Sequence, residues 1–190
     1  MTNRKVIIAL IGLPSSGKTL LGKYLKNLGY CFRTEVAGTL ISQGFTAGEK
    51  ADQDFDKKVM RMEFSRDNLF CLSNSIVQVV ETWHPGNMAY AMARSSPIVR
   101  QYKDQFRLLL QRLEARCLVL DLDPQISYLR SYALQKPTCN SVNFLVKVQK
   151  YMSMLMEEFG LTSITIDATG CSKDMINRAV ESVQSWVMPK

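Results

Sequence analysis

Histidine is nearly absent from this chain: His84 stands alone. The five cysteines, Cys31, Cys71, Cys117, Cys139 and Cys171, are widely spaced and form no C-x-x-C pair. A structural zinc site therefore has almost no ligand set, and an odd, scattered cysteine count implies no disulfide framework. Long apolar runs are missing too. The longest, residues 6–13, is broken by Gly12 and falls far short of the ~20 residues of a membrane helix. Arg4 and Lys5 ahead of it imitate the start of a signal peptide, but a glycine-rich loop follows in place of a small-residue cleavage site. The expectation is a cytoplasmic protein with no membrane contact. Repeats, low-complexity tracts and Pro/Gly/Ser-rich linkers are also lacking, so residues 1–190 are read as one domain. With 46% hydrophobic and 22% charged residues, disordered, collagen-like and fibrous chains are excluded.

Positive charge is what the chain has in excess: 24 Lys and Arg against 17 Asp and Glu, a formal net charge of +7. Nucleic acid is the first partner such a balance suggests. The basic residues are spread out, however, with no run of five or six, and a protein handling small polyanions would be basic as well. Phosphate chemistry takes the charge and nucleic acid ranks low.

Apolar strands alternate with amphipathic helices, which predicts an α/β fold with a parallel sheet covered on both faces. Strands are expected at residues 5–11, 31–34, 76–80, 117–122 and 163–166. Helices are expected at 18–28, 55–71, 98–114, 144–159 and 173–187. A loop holding Pro85 and Gly86 leads towards another helix, and residues 38–50 are unassigned.

Gly12-Leu13-Pro14-Ser15-Ser16-Gly17-Lys18-Thr19 fits G-x-x-x-x-G-K-[ST] at every fixed position. Gly12 and Gly17 permit the tight turn that aims backbone N–H groups at phosphate oxygens. A helix starting near Lys18 adds its positive dipole end. Lys18 is expected to reach the β- and γ-phosphates of a nucleotide, and the Thr19 hydroxyl to ligate Mg²⁺. A buried strand before and an amphipathic helix after are the context this chemistry requires.

Three acids close predicted strands: Glu35, Glu81 and Asp121. Ligands of open α/β sheets bind at such ends. Glu81 is the expected metal-side acid beside Thr19, with Asp121 as its rival, while Asp123 before Pro124 suits a helix cap. Arg33, Arg66, Arg94 and Arg100 are open as phosphate partners. Trp83 and Phe64 read equally as stacking surfaces or core, and His84 reads mainly as a cap. The N-K-x-D pattern of guanine readers is absent, and Asp167-Ala168-Thr169-Gly170 lies after the last strand, where no switch loop belongs.

These residues together resemble the P-loop nucleotide and nucleoside kinases, most closely the thymidylate kinase branch. Arg33-Thr34-Glu35-Val36-Ala37-Gly38-Thr39 resembles its R-E-P-G-G-T segment, with the proline lost. Glu81-Thr82-Trp83, followed by Ala89-Tyr90, resembles D-R-[YFW]…A-Y, with Thr82 where the family has arginine. Leu120-Asp121-Leu122-Asp123-Pro124 with Arg130 resembles the stretch entering the lid, and Ile166-Asp167-Ala168 the end of the last strand. Glu35-Val36-Ala37 after such a loop is also similar to ribosylnicotinamide kinases.

The resemblance implies a three-layer P-loop kinase fold with a five-stranded parallel sheet of order 2-3-1-4-5 and a lid over residues 130–143. It implies ATP as co-substrate, Mg²⁺, and phosphoryl transfer to a nucleoside monophosphate. The catalytic group would be Lys18, Glu35, Glu81 and Arg130. Nucleotide would be held by Gly12, Pro14, Ser15, Ser16, Gly17, Lys18 and Thr19, and metal by Thr19 and Glu81. Two alternatives stand beside it: a nucleoside kinase with a hydroxyl acceptor and Glu35 as base, and a nucleotide-binding module whose activity has decayed, suggested by Thr82 and the thin lid. A homodimer is left open.

Overall fold

A computed structural model describes residues 4–136 and 140–187. Five strands form one parallel sheet: β1 (Val6–Gly12), β2 (Cys31–Arg33), β3 (Val77–Glu81), β4 (Glu114–Asp121) and β5 (Thr162–Asp167). Their order is β2-β3-β1-β4-β5, as the resemblance implied. The helices are α1 (Lys18–Asn27), α2 (Val36–Ser42), α3 (Gln53–Leu72), α4 (Trp83–Ala93), α5 (Val99–Leu110), α6 (Pro124–Ala133), α7 (Val142–Glu158) and α8 (Ser172–Val187). A 3-10 turn, Gly48–Lys50, lies between α2 and α3.

The central strand shows why the sequence folds this way. In β1, Ile7, Ala9 and Ile11 enter the core shared with α3, α4, α5 and α7, while Ile8 and Leu10 enter the core shared with α1 and α8. Side chains alternate across a strand, so a strand covered on both faces needs an unbroken apolar run. All five are 0% exposed, and each large aliphatic among them contributes ~1.5–3 kcal/mol by burial.

Two sequence expectations need correction. Pro85 and Gly86 are not a loop: they lie in the first turn of α4, where proline lacks only an N–H that has no partner anyway. The helix expected to reach residue 114 stops at Leu110, and β4 starts at Glu114, where it pairs with Val6. Residues 38–50 hold the end of α2 and the 3-10 turn. The lid expected over residues 130–143 includes the end of α6 and the start of α7 and lies partly outside the described residues. Among the described residues no helix is long and apolar enough to cross a membrane.

Candidate active site

The strand order places the C-terminal ends of β1 and β3 side by side, with Leu10 in register with Glu81. The glycine-rich loop leaves β1 at Gly12. A Cβ there would meet the Leu120 carbonyl at 2.5 Å, so only glycine lets the loop pass β4. Gly17 has φ 95 in the left-handed region and opens α1, whose first turn has no side-chain cap and no acidic residue. The first N–H groups of a helix lack intrahelical partners, so this end is free to receive an anion.

Lys18 is 6% exposed, and its Nζ donates to the carbonyls of Gly12 and Leu13 at 2.8 Å each. Burial lowers its pKa, opposed by the nearby carboxylates of Glu35 and Glu81. Thr19 Oγ1 donates to Glu81 Oε1 at 2.5 Å. Asp121, the rival acid, is exposed and accepts from Gln149 Nε2. Asp123 caps α6 through Gln125 N and Ile126 N, as its place before proline suggested.

Glu35 ends the turn after β2 and keeps partial exposure through the same cleft. Burial raises its carboxyl above the ordinary range, opposed by Lys18 and reinforced by Glu81. Thr82 Oγ1 faces it at 3.4 Å, a long contact. Thr82 has φ 63, which is strained for a β-branched residue and turns the chain from β3 into α4.

These groups open on one cavity of about 370 Å³, running from Gly12 and Lys18 past Glu35 and Glu81 to Asp56, Asn87 and Arg94. The size suits a small ligand. Lys136 also lines it and acts electrostatically on both Lys18 and Glu35. Helix α6 braces the phosphate loop: Ser127 Oγ donates to Pro14 O at 2.7 Å and Ser15 Oγ lies 2.9 Å from Ser131 Oγ.

Not every residue singled out in the sequence reaches the cavity. Arg130 donates from both terminal nitrogens to the carbonyls of Ala168 and Thr169, at 2.9 Å each, and so ties α6 to the turn after β5. Arg66 binds Glu63 and Thr34 O, and Arg33 and Arg100 are exposed. Trp83 and His84 are fully buried. Their ring nitrogens share Asp67 Oδ2, and the other His84 nitrogen meets Tyr102 OH at 3.0 Å. Phe64 packs on the His84 ring. None of these side chains lines the cavity.

The sequence reading missed Asp56 and Asn87. Asn87, Tyr90 and Arg94 line the cavity from α4 at positions i, i+3 and i+7, one helix face. That spacing was legible only once Pro85 and Gly86 were placed inside the helix.

No protein-family model matches the chain, and no curated protein matches it in sequence. Solved structures do match. One is a deoxyadenosine kinase from M. mycoides with the products dCMP and a flexible dCDP bound: TM-score 0.67, 14% identity, covering 94% of this chain and 99% of that one. Another is the YorR protein from Bacillus subtilis in complex with phosphorylated GDP: TM-score 0.61, 14% identity, covering 97% and 99%. The chain thus has the fold of the P-loop nucleoside and nucleotide kinases.

Proposed function

We propose that this protein is a kinase that transfers the γ-phosphoryl group of ATP to the hydroxyl of a nucleoside. The observation that carries the acceptor choice is Glu35, a carboxyl with a raised pKa that opens on the cavity shared with Lys18, Thr19 and Glu81. A hydroxyl nucleophile needs a base to take its proton, whereas a phosphate acceptor does not. Among the described residues Arg94 is the only arginine lining the cavity. Thr82 stands where the thymidylate kinase branch has arginine, and Arg94 is spent on Asp56 and Gly48 O.

The residues present fit Mg²⁺. Thr19 and Glu81 offer a hydroxyl and a carboxylate already in contact, both hard oxygen donors. Among the described residues no cluster of three or more His, Cys, Asp or Glu could hold a metal unaided. Mg²⁺ is ordinarily held by one or two protein oxygens plus substrate phosphates and water, so the small donor set is the expected one. Held by Thr19 and Glu81, Mg²⁺ would offset the negative charge of the phosphates.

The chain's own residues do the rest. The N–H groups of the loop and of α1 receive the β-phosphate. Lys18 leaves the carbonyls of Gly12 and Leu13 for the γ-phosphate, where an anion offsets the cost of its burial. Glu35 accepts the proton of the attacking hydroxyl. Positioning and charge neutralisation dominate such transfers.

A second reading, transfer to a nucleoside monophosphate as in the thymidylate kinase branch, is supported by Lys136, a cation lining the cavity. Incubation with ATP, Mg²⁺ and a panel of nucleosides and monophosphates, read by mass spectrometry, tests both. Nucleoside monophosphates as products support the first reading; diphosphates formed only from monophosphates overturn it in favour of the second. Absence of any product would leave the decayed-module alternative standing.

A further inference from the structure

We infer that Ser127 and Ser131 of α6 are positioning residues for phosphoryl transfer: they hold the Pro14–Ser15 peptide so that its N–H faces the phosphates of the nucleotide. This rests on the nucleotide-binding reading above. Neither serine belongs to the loop motif, from which they stand 113 and 116 residues away in sequence.

The rigidity of the peptide plane couples the two groups. Pro14 O accepts from Ser127 Oγ at 2.7 Å. Ser127 is fully buried and does not line the cavity, so this carbonyl is held by a group outside it. The described peptide bonds are all trans, and in a planar trans peptide the C=O and N–H point in opposite directions. Fixing the Pro14 carbonyl on α6 therefore turns the Ser15 N–H away from α6. Ser15 lines the cavity beside Gly12, Gly17 and Lys18, and among the described residues its N–H has no backbone partner. Such an N–H in a glycine-rich loop is a donor for a phosphate oxygen.

Ser131 holds the residue that follows the carbonyl. Ser15 has φ 61, in the left-handed region, where a residue other than glycine is strained. Its Oγ lies 2.9 Å from Ser131 Oγ. Glycine would adopt that φ freely but give α6 nothing to hold. The two α6 hydroxyls come from positions i and i+4, one face of the helix. Asp123 caps the start of α6, and Arg130 ties it to the carbonyls of Ala168 and Thr169, so that face is itself anchored.

Calorimetric titration of the intact protein with ATP and Mg²⁺ tests the inference. Ser127→Ala should weaken ATP binding by on the order of 10-fold, the effect of one misaimed hydrogen bond to a charged group. Ser131→Ala should weaken it by roughly 3–10-fold. A Ser15→Gly background separates the two serines. There Ser131 has no partner and glycine keeps the loop's φ unaided, so adding Ser131→Ala should cost nothing more. Adding Ser127→Ala should still weaken binding, because the Pro14 carbonyl is released. A merely structural role would lower the unfolding temperature in both backgrounds and leave ATP affinity alone.

Unchanged ATP affinity in either single variant, or an equal loss from Ser131→Ala in both backgrounds, overturns the inference while the kinase reading stands. If Ser127→Ala does not fold, the Ser15–Ser131 cycle decides by itself. If the wild type binds no ATP, the kinase reading fails and takes the inference with it.

Discussion

Glu35 and Lys18 act on each other's charge across the cavity they share. Burial raises the Glu35 pKa and lowers that of Lys18, and each opposes the other's shift. A base must be ionised to work, so kcat/KM should rise with pH through a limb above the ordinary carboxylate range. Glu35→Gln should remove that limb and lower kcat by ~10²–10⁴-fold with little change in acceptor KM. An effect confined to acceptor KM would make Glu35 a sugar-positioning group. The neighbouring pair of Thr19 and Glu81 has its own signature. Glu81→Gln should raise the Mg²⁺ needed for half-maximal rate, while Asp121→Asn, exposed and bound to Gln149, should not. The reverse pattern in a Mg²⁺ titration would move the metal-side acid to Asp121.

Helix α6 acts as a brace with two ends. Ser127 and Ser131 hold the phosphate loop, and Arg130 holds the carbonyls of Ala168 and Thr169. Hydrogen bonds to charged groups contribute ~1.5–3 kcal/mol. Arg130→Ala should therefore cost about that much stability and speed amide exchange at Thr169 and Gly170. With Arg130 in this role, turnover at saturating ATP should change less than ~10-fold. A loss of ~10³-fold with unchanged stability would return it to the transferring phosphate, as the resemblance first implied. Helix α4 is the other working element. Its entry through a left-handed Thr82 turns Asn87, Tyr90 and Arg94 towards the cavity and sends Trp83 and His84 into the core.

Across the molecule, α3 and α4 meet over a buried polar network that also anchors the loop before Glu35, through Arg66 to Thr34 O. Glu63 is fully buried within it. Burial, reinforced by Asp67 and opposed by Arg66, pushes its pKa up from 4.5 to about 8. Between those values the unfolded chain releases a proton that the folded protein keeps, so this group's contribution to stability falls as pH rises from about 4.5 to 8. Glu63→Gln should gain on the wild type steadily over that window in urea unfolding. A constant difference between the two would mean that Arg66 keeps Glu63 ionised throughout.

The phosphate loop, the parallel sheet and the strand order were legible in the sequence because they rest on local signals. These are a fixed glycine spacing, an apolar run at residues 6–13 and helices with one apolar face. Glu81 was legible for the same reason: it ends a strand whose neighbour begins the loop. The Asp123 cap needed only its proline. The Asp56–Arg94 pair that lines the cavity was not legible, since the two are 38 residues apart and meet only when α3 packs on α4. Arg130 shows the same limit. An arginine on a helix near a phosphate loop reads as a phosphate ligand, and only packing against the turn after β5 offers it two carbonyls instead. Local spacing dictates backbone form, but the partner of a long polar side chain is whichever buried group the packed elements leave unpaired.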